Sequence, residues 1–215
     1  MTIKTLAILF ISFITCLQVA GQEEGKPTSH GIKADFKLPT GTSNKSFKGV
    51  LSGLADMDIA YQFLPVEKKL FFNLGFKYSY WNIESTIFSG NTVTGKLEFL
   101  QPFIGIGWRH SFSENVFLES EIKGGYSFIN TVSSSNPSGY KQEGLGIEPK
   151  LGLYYKANDI VSIGLSFNYN IVNAKFTPDN INQTNFPGLG PEASQGIYQY
   201  FSVGFGIYTV IPKFK

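Results

Sequence analysis

Strict alternation of apolar and polar residues recurs in eight segments of this sequence and restricts the chain to a β fold. In the first segment, Ile32, Ala34, Phe36 and Leu38 alternate with lysine and aspartate. Successive side chains of a strand point to opposite faces, whereas an amphipathic helix repeats its apolar residues every three to four positions. The eight segments are GIKADFKL, LSGLADMDIAYQF, KLFFNLGFKYSYW, FLQPFIGIGWRH, VFLESEIKGGYSF, LGIEPKLGLYYK, VSIGLSFNYNI and IYQYFSVGFGIY.

The connections between these segments alternate in length. Three are short, and they read LPVEK, SFSEN and AND. The others are long and polar, and they read TGTSNKSFKG, ESTIFSGNTVTG, NTVSSSNPSGYKQEG and the stretch from Ala174 to Gln195. Short turns at one end and long loops at the other are typical of a transmembrane β-barrel. The sequence therefore predicts an all-β fold, a closed antiparallel eight-stranded transmembrane β-barrel with short periplasmic turns and long extracellular loops.

The two faces of the predicted strands differ in the size of their residues. One face carries large apolar residues almost without interruption, and the other carries glycines and charges. The interior of an eight-stranded barrel just holds its side chains, so bulky residues from every strand are not expected to fit there. We therefore predict that the large apolar residues face lipid and the small or charged residues face the interior. Because proline cannot donate to a ladder, Pro102 and Pro149 each predict a bulge.

The N-terminal segment has the features of a secretory signal. Lys4 precedes an apolar run from Leu6 to Val19, and small residues follow it. We predict a signal peptide over residues 1–21, cleaved before Gln22, and a single barrel domain over 22–215. The run is short for a retained helical anchor, which needs about 20 residues. The one cysteine, Cys16, lies inside this signal, so no disulfide or cysteine metal site is expected in the mature chain.

Charge and motifs argue against several classes of function. The net charge is +2 and Arg109 is the single arginine, a pattern that does not favour nucleic-acid binding. No glycine-rich phosphate loop, paired-carboxylate motif or metal-ligand spacing is present, so no cofactor is expected. His110 and Ser111 suggest a hydrolase, but adjacent strand residues point to opposite faces. We predict no catalytic residues.

The interior face of the predicted barrel carries charges that could pair. In strands five and six, Glu121 and Lys123 lie opposite Lys150 and Glu148, which predicts crossed Glu–Lys pairs. Arg109 and Glu119, on either side of a turn, are predicted to pair likewise, and the aspartates of the first two strands lie beside Lys33 and Lys37. The predicted interior network consists of Asp35, Asp56, Asp58, Lys77, Arg109, Glu119, Glu121, Lys123, Glu148 and Lys150. A salt-bridged plug and a gated pathway or proton relay are both open interpretations.

The long loops contain isolated aromatic residues in polar surroundings. Tyr140, Phe176 and Phe186 are predicted as possible loop contacts for a partner. Loops on a rigid scaffold often carry function. Merely solvated loops are the alternative.

With these features together, the chain resembles the small outer-membrane β-barrel proteins of OmpA/OmpX type, often grouped as porin-family proteins. The resemblance rests on the signal segment, the eight alternating strands, QPFIGIGW and the final strand YFSVGFGIY. It covers essentially the whole mature chain, without the periplasmic peptidoglycan-binding domain that some members carry. A further departure is that Phe214 is followed by Lys215 instead of ending the chain.

The resemblance implies a place in the cell outer membrane. The partners it implies are outer-membrane lipid and lipopolysaccharide, the barrel-assembly machinery during biogenesis, and other outer-membrane proteins. We predict a non-enzymatic protein with a closed interior that acts in envelope structure or in binding through its loops. The alternatives are a narrow channel for small solutes, an accessory subunit of a larger outer-membrane complex and a lipid-modifying enzyme.

Overall fold

The structure is a computed structural model that describes residues 29–42, 45–64, 69–85, 92–184 and 196–211. The predicted signal peptide, residues 1–21, lies outside these ranges. The elements are β1 (Ser29–Gly41), α1 (Lys45–Val50), β2 (Leu51–Leu64), β3 (Leu70–Ser85), β4 (Val93–Ser111), β5 (Val116–Ser133), β6 (Asn136–Lys156), β7 (Val161–Lys175), a 3₁₀ helix (Pro178–Ile181) and β8 (Ile197–Ile211). Among the described residues, no helix is long and apolar enough to span a membrane.

The eight strands form one closed antiparallel barrel in sequence order, which confirms the predicted fold class. The barrel closes where β1 pairs with β8, from His30 opposite Ile211 to Gly41 opposite Tyr200. Closure pairs the backbone of every strand and leaves no edge along the wall. The strands are 13 to 21 residues long, so they extend beyond the segments delimited by alternation alone.

The prediction of bulges at the two prolines is wrong. Pro102 pairs with Phe76 and Pro149 with Ile122, and the register continues unchanged on both sides of each proline. The register shifts instead next to Gly53, Thr131 and Val172, toward the end of the barrel where the longer connections lie. A missing N–H removes one ladder bond, and the neighbouring pairs hold the strand in register.

The two ends of the barrel are built differently. At the turn end, β4 and β5 are joined by residues 112–115 and β6 and β7 by residues 157–160. At the loop end, α1 lies between β1 and β2, and the 3₁₀ helix lies between β7 and β8. The long loop predicted between strands five and six is wrong, because β5 and β6 continue to a turn at residues 134–135. Polar residues continue this hairpin because a strand surrounded by water needs no apolar face.

The outer face of the barrel is apolar, as predicted, and the inner face is more varied than predicted. Large outer residues are widely exposed, with Ile104 at 67% and Phe205 at 69%. Near the loop end, however, large residues such as Trp81, Leu97 and Phe99 are buried inside the barrel. The prediction that bulky apolar residues are confined to the outer face is therefore wrong in this part of the interior.

Glycines on neighbouring strands explain how large rings fit inside. The rings lie opposite glycines in the ladder, in the pairs Trp81–Gly53, Tyr200–Gly41, Tyr154–Gly164 and Phe71–Gly107. A Cβ added to Gly107 would lie 2.2 Å from a ring carbon of Phe71. Gly107 and Gly164 thus give room to aromatic rings of the neighbouring strand, in addition to the charged side chains for which interior glycines are expected to make space.

Candidate functional site

Twelve charged side chains meet inside the barrel and form what we call the ionic layer. Eleven of them are buried and the twelfth, Arg109, is half-buried. Six are acidic and six are basic, so their formal charges cancel. The ionic layer consists of Lys33, Asp35, Lys37, Asp56, Asp58, Lys77, Arg109, Glu119, Glu121, Lys123, Glu148 and Lys150. It contains every residue of the network predicted from the sequence, together with Lys33 and Lys37.

Glu148 of β6 connects three strands across the barrel. Its carboxylate lies 2.5 Å from the Lys77 ammonium and 3.1 Å from the Lys123 ammonium. The Asn168 amide of β7 also donates a hydrogen bond to it. A buried carboxylate with several donors avoids the cost of an unpaired charge in a poorly solvated interior.

Glu119 of β5 is a second junction, nearer the turn end. It accepts hydrogen bonds from the Lys33 ammonium, from the Arg109 guanidinium at 2.6 Å and from the Gln62 amide at 3.2 Å. The guanidinium also stacks on the Phe117 ring, with its central carbon 4.3 Å from the ring centroid. The structure therefore contains the ion pair of Arg109 with Glu119 that was predicted from their positions on either side of a turn.

The two crossed Glu–Lys pairs of β5 and β6 have different outcomes. Lys123 lies opposite Glu148 in the ladder, and the two form an ion pair. Glu121 lies opposite Lys150, but within the described residues the ion pair of Lys150 goes across the barrel to Asp35. Glu121 instead accepts a hydrogen bond from the Asn73 amide at 2.6 Å. Because the interior is narrow, a long lysine side chain reaches the opposite wall as easily as the adjacent strand.

The aspartates of β1 and β2 complete the ionic layer. Asp58 lies 2.8 Å from the Lys37 ammonium and 2.5 Å from the Lys123 ammonium. Asp56 accepts a hydrogen bond from the Ser79 hydroxyl at 2.7 Å and lies 3.4 Å from the Lys77 ammonium. The ion pairs therefore run between β1, β2, β3, β5 and β6 at this height.

A second layer, which the sequence did not predict, fills the interior at the loop end. We call it the apolar layer, and its buried residues are Phe47, Val50, Leu51, Trp81, Ile83, Val93, Leu97, Phe99, Ile129, Val172, Phe176, Ile181, Tyr198 and Tyr200. Phe47 of α1 packs against Trp81 with ring centroids 4.5 Å apart and against Tyr198 at 5.3 Å. A visible signal in the sequence is the inner face of β3, which changes from Lys77 and Ser79 to Trp81 and Ile83.

Side chains from the β7–β8 connection close over the apolar layer. The Gln142 carbonyl oxygen accepts hydrogen bonds from Asn180 at 3.0 Å and Tyr198 at 3.2 Å. Its amide nitrogen donates to the carbonyl oxygen of Lys175 at 3.0 Å. These contacts hold Ile181 of the 3₁₀ helix in its buried position.

The three predicted loop contacts fall in three different places. Tyr140 lies in β6, opposite Thr131, and is exposed, so its placement in a long loop is wrong. Phe176 follows β7 and is fully buried in the apolar layer, where it is not accessible to a partner. Phe186 lies outside the described residues.

The two layers touch through Tyr200. Its hydroxyl lies 3.0 Å from the Ser79 hydroxyl, which donates to Asp56. The Lys77 ammonium lies 5.0 Å from the centroid of the same ring. A cation over an aromatic face is favourable, so Tyr200 links the ionic layer to the ring cluster above it.

The histidine and serine considered for hydrolase chemistry lie at the turn end. His110 and Ser111 are both exposed, and the His110 ring centroid lies 5.0 Å from that of Phe112. His110 pairs with Leu118 in the ladder and Ser111 with Phe117. Within the described part of the chain, no group of three or more histidine, cysteine or acidic residues is placed to hold a metal ion.

No family model and no curated protein sequence matches this chain. Solved structures with little sequence similarity share its architecture. A major outer membrane protein from Thermus thermophilus superimposes with a TM-score of 0.60 at 11% identity, over 86% of this chain and 100% of that chain. Neisserial surface protein A superimposes with a TM-score of 0.54 at 13% identity, over 86% of this chain and 99% of that chain. Ail of Yersinia pestis superimposes with a TM-score of 0.52 at 10% identity, over 86% of this chain and 100% of that chain. The chain has the fold of the small eight-stranded outer-membrane β-barrels.

Proposed function

We propose that the protein resides in the cell outer membrane, is exported by a cleaved signal peptide, and acts without catalysis through its loop-end surface, in envelope structure or in binding. In this orientation the turn end faces the periplasm and the loop end faces outward. The apolar outer face supports the proposal, since a band of exposed large side chains suits hydrocarbon and not water.

The main support for a closed interior is that the apolar layer lies directly above the ionic layer, so that the two block the barrel in series. A solute entering from the loop end would first meet the apolar layer, where Phe47, Trp81 and Tyr198 are each fully buried. It would then meet the ionic layer, whose opposite charges are already paired with each other. Moving a charge past a neutral network of ion pairs requires breaking several of them, which is costly in a poorly solvated space.

A narrow channel is the second candidate, and one observation favours it. On β7 and β8, beside the ionic layer, Ser166, Ser202, Asn168 and Asn170 are buried and each has a side-chain atom without a hydrogen-bond partner in the described structure. Polar atoms of this kind line the water-filled side of conducting barrels. They lie on the wall that contributes no charge to the ionic layer.

Planar-bilayer conductance of the purified, refolded protein distinguishes the two candidates. A closed interior predicts no discrete openings for the natural protein. A variant with Ser202→Asp, which adds a charge beside Asn168, serves as a probe of the β7–β8 wall. Reproducible openings of the natural protein whose cation selectivity changes in this variant would overturn the closed interior and establish a channel along that wall.

A further inference from the structure

Three outward-facing tyrosines mark the level at which the outer face changes from apolar to polar. Each lies on β3, β5 or β7 and donates a hydrogen bond to a polar side chain of the following strand, one step nearer the loop end. The pairs are Tyr78–Glu98 at 2.8 Å, Tyr126–Glu143 at 2.7 Å and Tyr169–Gln199 at 2.9 Å. Tyrosines with an apolar ring and a polar tip are characteristic of a membrane interface. The repeated arrangement places the outer interface at this height.

Above this level, β4 and β6 each present a lysine and a glutamate to the outside. Lys96 forms an ion pair with Glu98 at 3.1 Å. Glu143 accepts the hydrogen bond of Tyr126. Over the ranges that the structure describes, no ion pair or hydrogen bond engages the ammonium of Lys141, which is exposed. We call these four residues, Lys96, Glu98, Lys141 and Glu143, the rim. The rim therefore carries one cation, the Lys141 ammonium, that is free to bind an anion.

A cavity of about 730 Å³ lies between this rim and the apolar band. Its lower part is lined by Leu100 and Phe128, which are 48% and 44% exposed. Its upper part is lined by Asn130, Lys141, Glu143 and Glu98, and the Glu98 carboxylate is neutralised by its ion pair with Lys96. An apolar floor that leads to a polar rim fits a molecule with hydrocarbon at one end and a charged, hydroxyl-bearing group at the other.

We propose that this cavity binds the phosphorylated sugar headgroup of a glycolipid in the outer leaflet. Lys141 supplies the cation for a phosphate. The Asn130 amide and the Glu143 carboxylate match sugar hydroxyls, which donate and accept hydrogen bonds. Acyl chains lie against Leu100 and Phe128, continuous with the lipid around the barrel. The inference rests on the proposed outer-membrane location and adds a specific lipid to it.

The test compares Lys141→Gln with a matched variant at the opposite end, Lys156→Gln. Lys156 is half-buried and lies 3.9 Å from Asp159 at the turn end. Both variants keep the barrel, because neither side chain is buried, and native gel mobility verifies this. Binding of diphosphorylated lipid A to the purified protein in mild detergent is measured by native mass spectrometry. We expect Lys141→Gln to weaken binding about fivefold, the contribution of one lysine at a membrane surface, and Lys156→Gln to leave it unchanged.

The same lipid stripped of its phosphates provides the second comparison. We expect the natural protein and Lys141→Gln to bind it equally weakly, since the phosphate is the group that Lys141 recognises. Unchanged lipid A binding in Lys141→Gln, or an equal loss in Lys156→Gln, would overturn the proposal. Neither result depends on whether the interior conducts, so a failure here is separate from a failure of the closed interior.

Discussion

The ionic layer and the apolar layer occupy the same barrel, but only the apolar layer takes residues from the connections between strands. All twelve residues of the ionic layer lie on strands. The apolar layer takes Phe47 and Val50 from α1, and Phe176 and Ile181 from the β7–β8 connection. The ionic layer is therefore part of the wall, whereas the apolar layer depends in part on connections, which we expect to detach while the wall stays intact. Three of the following experiments test this difference, and one tests which face of the wall each of two neighbouring glycines occupies.

The largest effect is expected from Lys150→Met in the ionic layer. Lys150 supplies the ammonium that pairs with Asp35, and both side chains are fully buried. Its removal leaves a buried carboxylate without its cation, which costs roughly 3–5 kcal/mol. Urea unfolding of the barrel in lipid vesicles should show this loss, and the heat-modifiable gel transition should move to lower temperature.

The double variant Asp35→Leu with Lys150→Met is the control for this experiment. Replacement of both partners of a buried pair by apolar residues is often close to neutral. We expect the double variant to recover most of the lost stability. A single variant as stable as the natural protein would mean that this ion pair makes no contribution to the wall.

A large but local effect is expected from Phe47→Ala in the apolar layer. Truncation of a buried phenylalanine removes about 3–5 kcal/mol of packing. Because Phe47 lies on α1, outside the strands, we expect this loss to detach the connection and to leave the global unfolding midpoint nearly unchanged. The ionic layer would still close the interior, so no conductance should appear.

Trp81 reports this change directly. The chain has two tryptophans, and Trp81 is fully buried beside Phe47 whereas Trp108 is 49% exposed on the outer face. In a Trp108→Phe background, Phe47→Ala should increase acrylamide quenching of Trp81. A matching fall in the global midpoint would show that the two layers unfold as one unit and would remove the distinction between them.

An intermediate effect is expected from the neighbouring glycines of β5. A Cβ on Gly125 would lie 2.4 Å from the Pro102 carbonyl oxygen, whereas a Cβ on Gly124 meets no atom within 4 Å. Gly125→Ala should cost about 1–3 kcal/mol through overpacking of the wall. Gly124→Ala, on the outer face, should be neutral within about 0.5 kcal/mol. The same urea titration compares them, and equal effects would contradict the assignment of the two glycines to opposite faces.

The smallest effect is expected from Gln142→Ala at the edge of the apolar layer. This change removes the hydrogen bonds to Asn180, Tyr198 and Lys175. Each such bond contributes about 0.5–1.5 kcal/mol, and water replaces some of them at this partly exposed site. We expect faster amide hydrogen exchange in the 3₁₀ helix and no change in β6. Protection unchanged in the 3₁₀ helix would show that Ile181 alone holds it in place.

The sequence predicted the barrel from local information. Alternation of Ile32, Phe36 and Leu38 with charged residues specifies strand and face together, because the side-chain period of a strand is two. The members of the ionic layer followed from the same rule. Two of the predicted ion pairs also followed, Lys123 with Glu148 and Arg109 with Glu119. The third did not, since Lys150 pairs with Asp35 on β1 and not with Glu121 beside it. Which side chains meet across a closed interior depends on barrel diameter and stagger, and no local pattern contains these.

The sequence by itself determined the strand count, the antiparallel order and the charged set inside, because each depends on periodicity and on connection length. Only the tertiary structure decided that Trp81 and Phe99 turn inward and that Phe47 and Phe176 fold over them. Their burial requires contact between segments that are far apart in the chain. The inner face of β3 shows the change to Trp81 and Ile83, but the residues that cover them lie on other strands and connections. The apolar layer is therefore complete only once the barrel has closed.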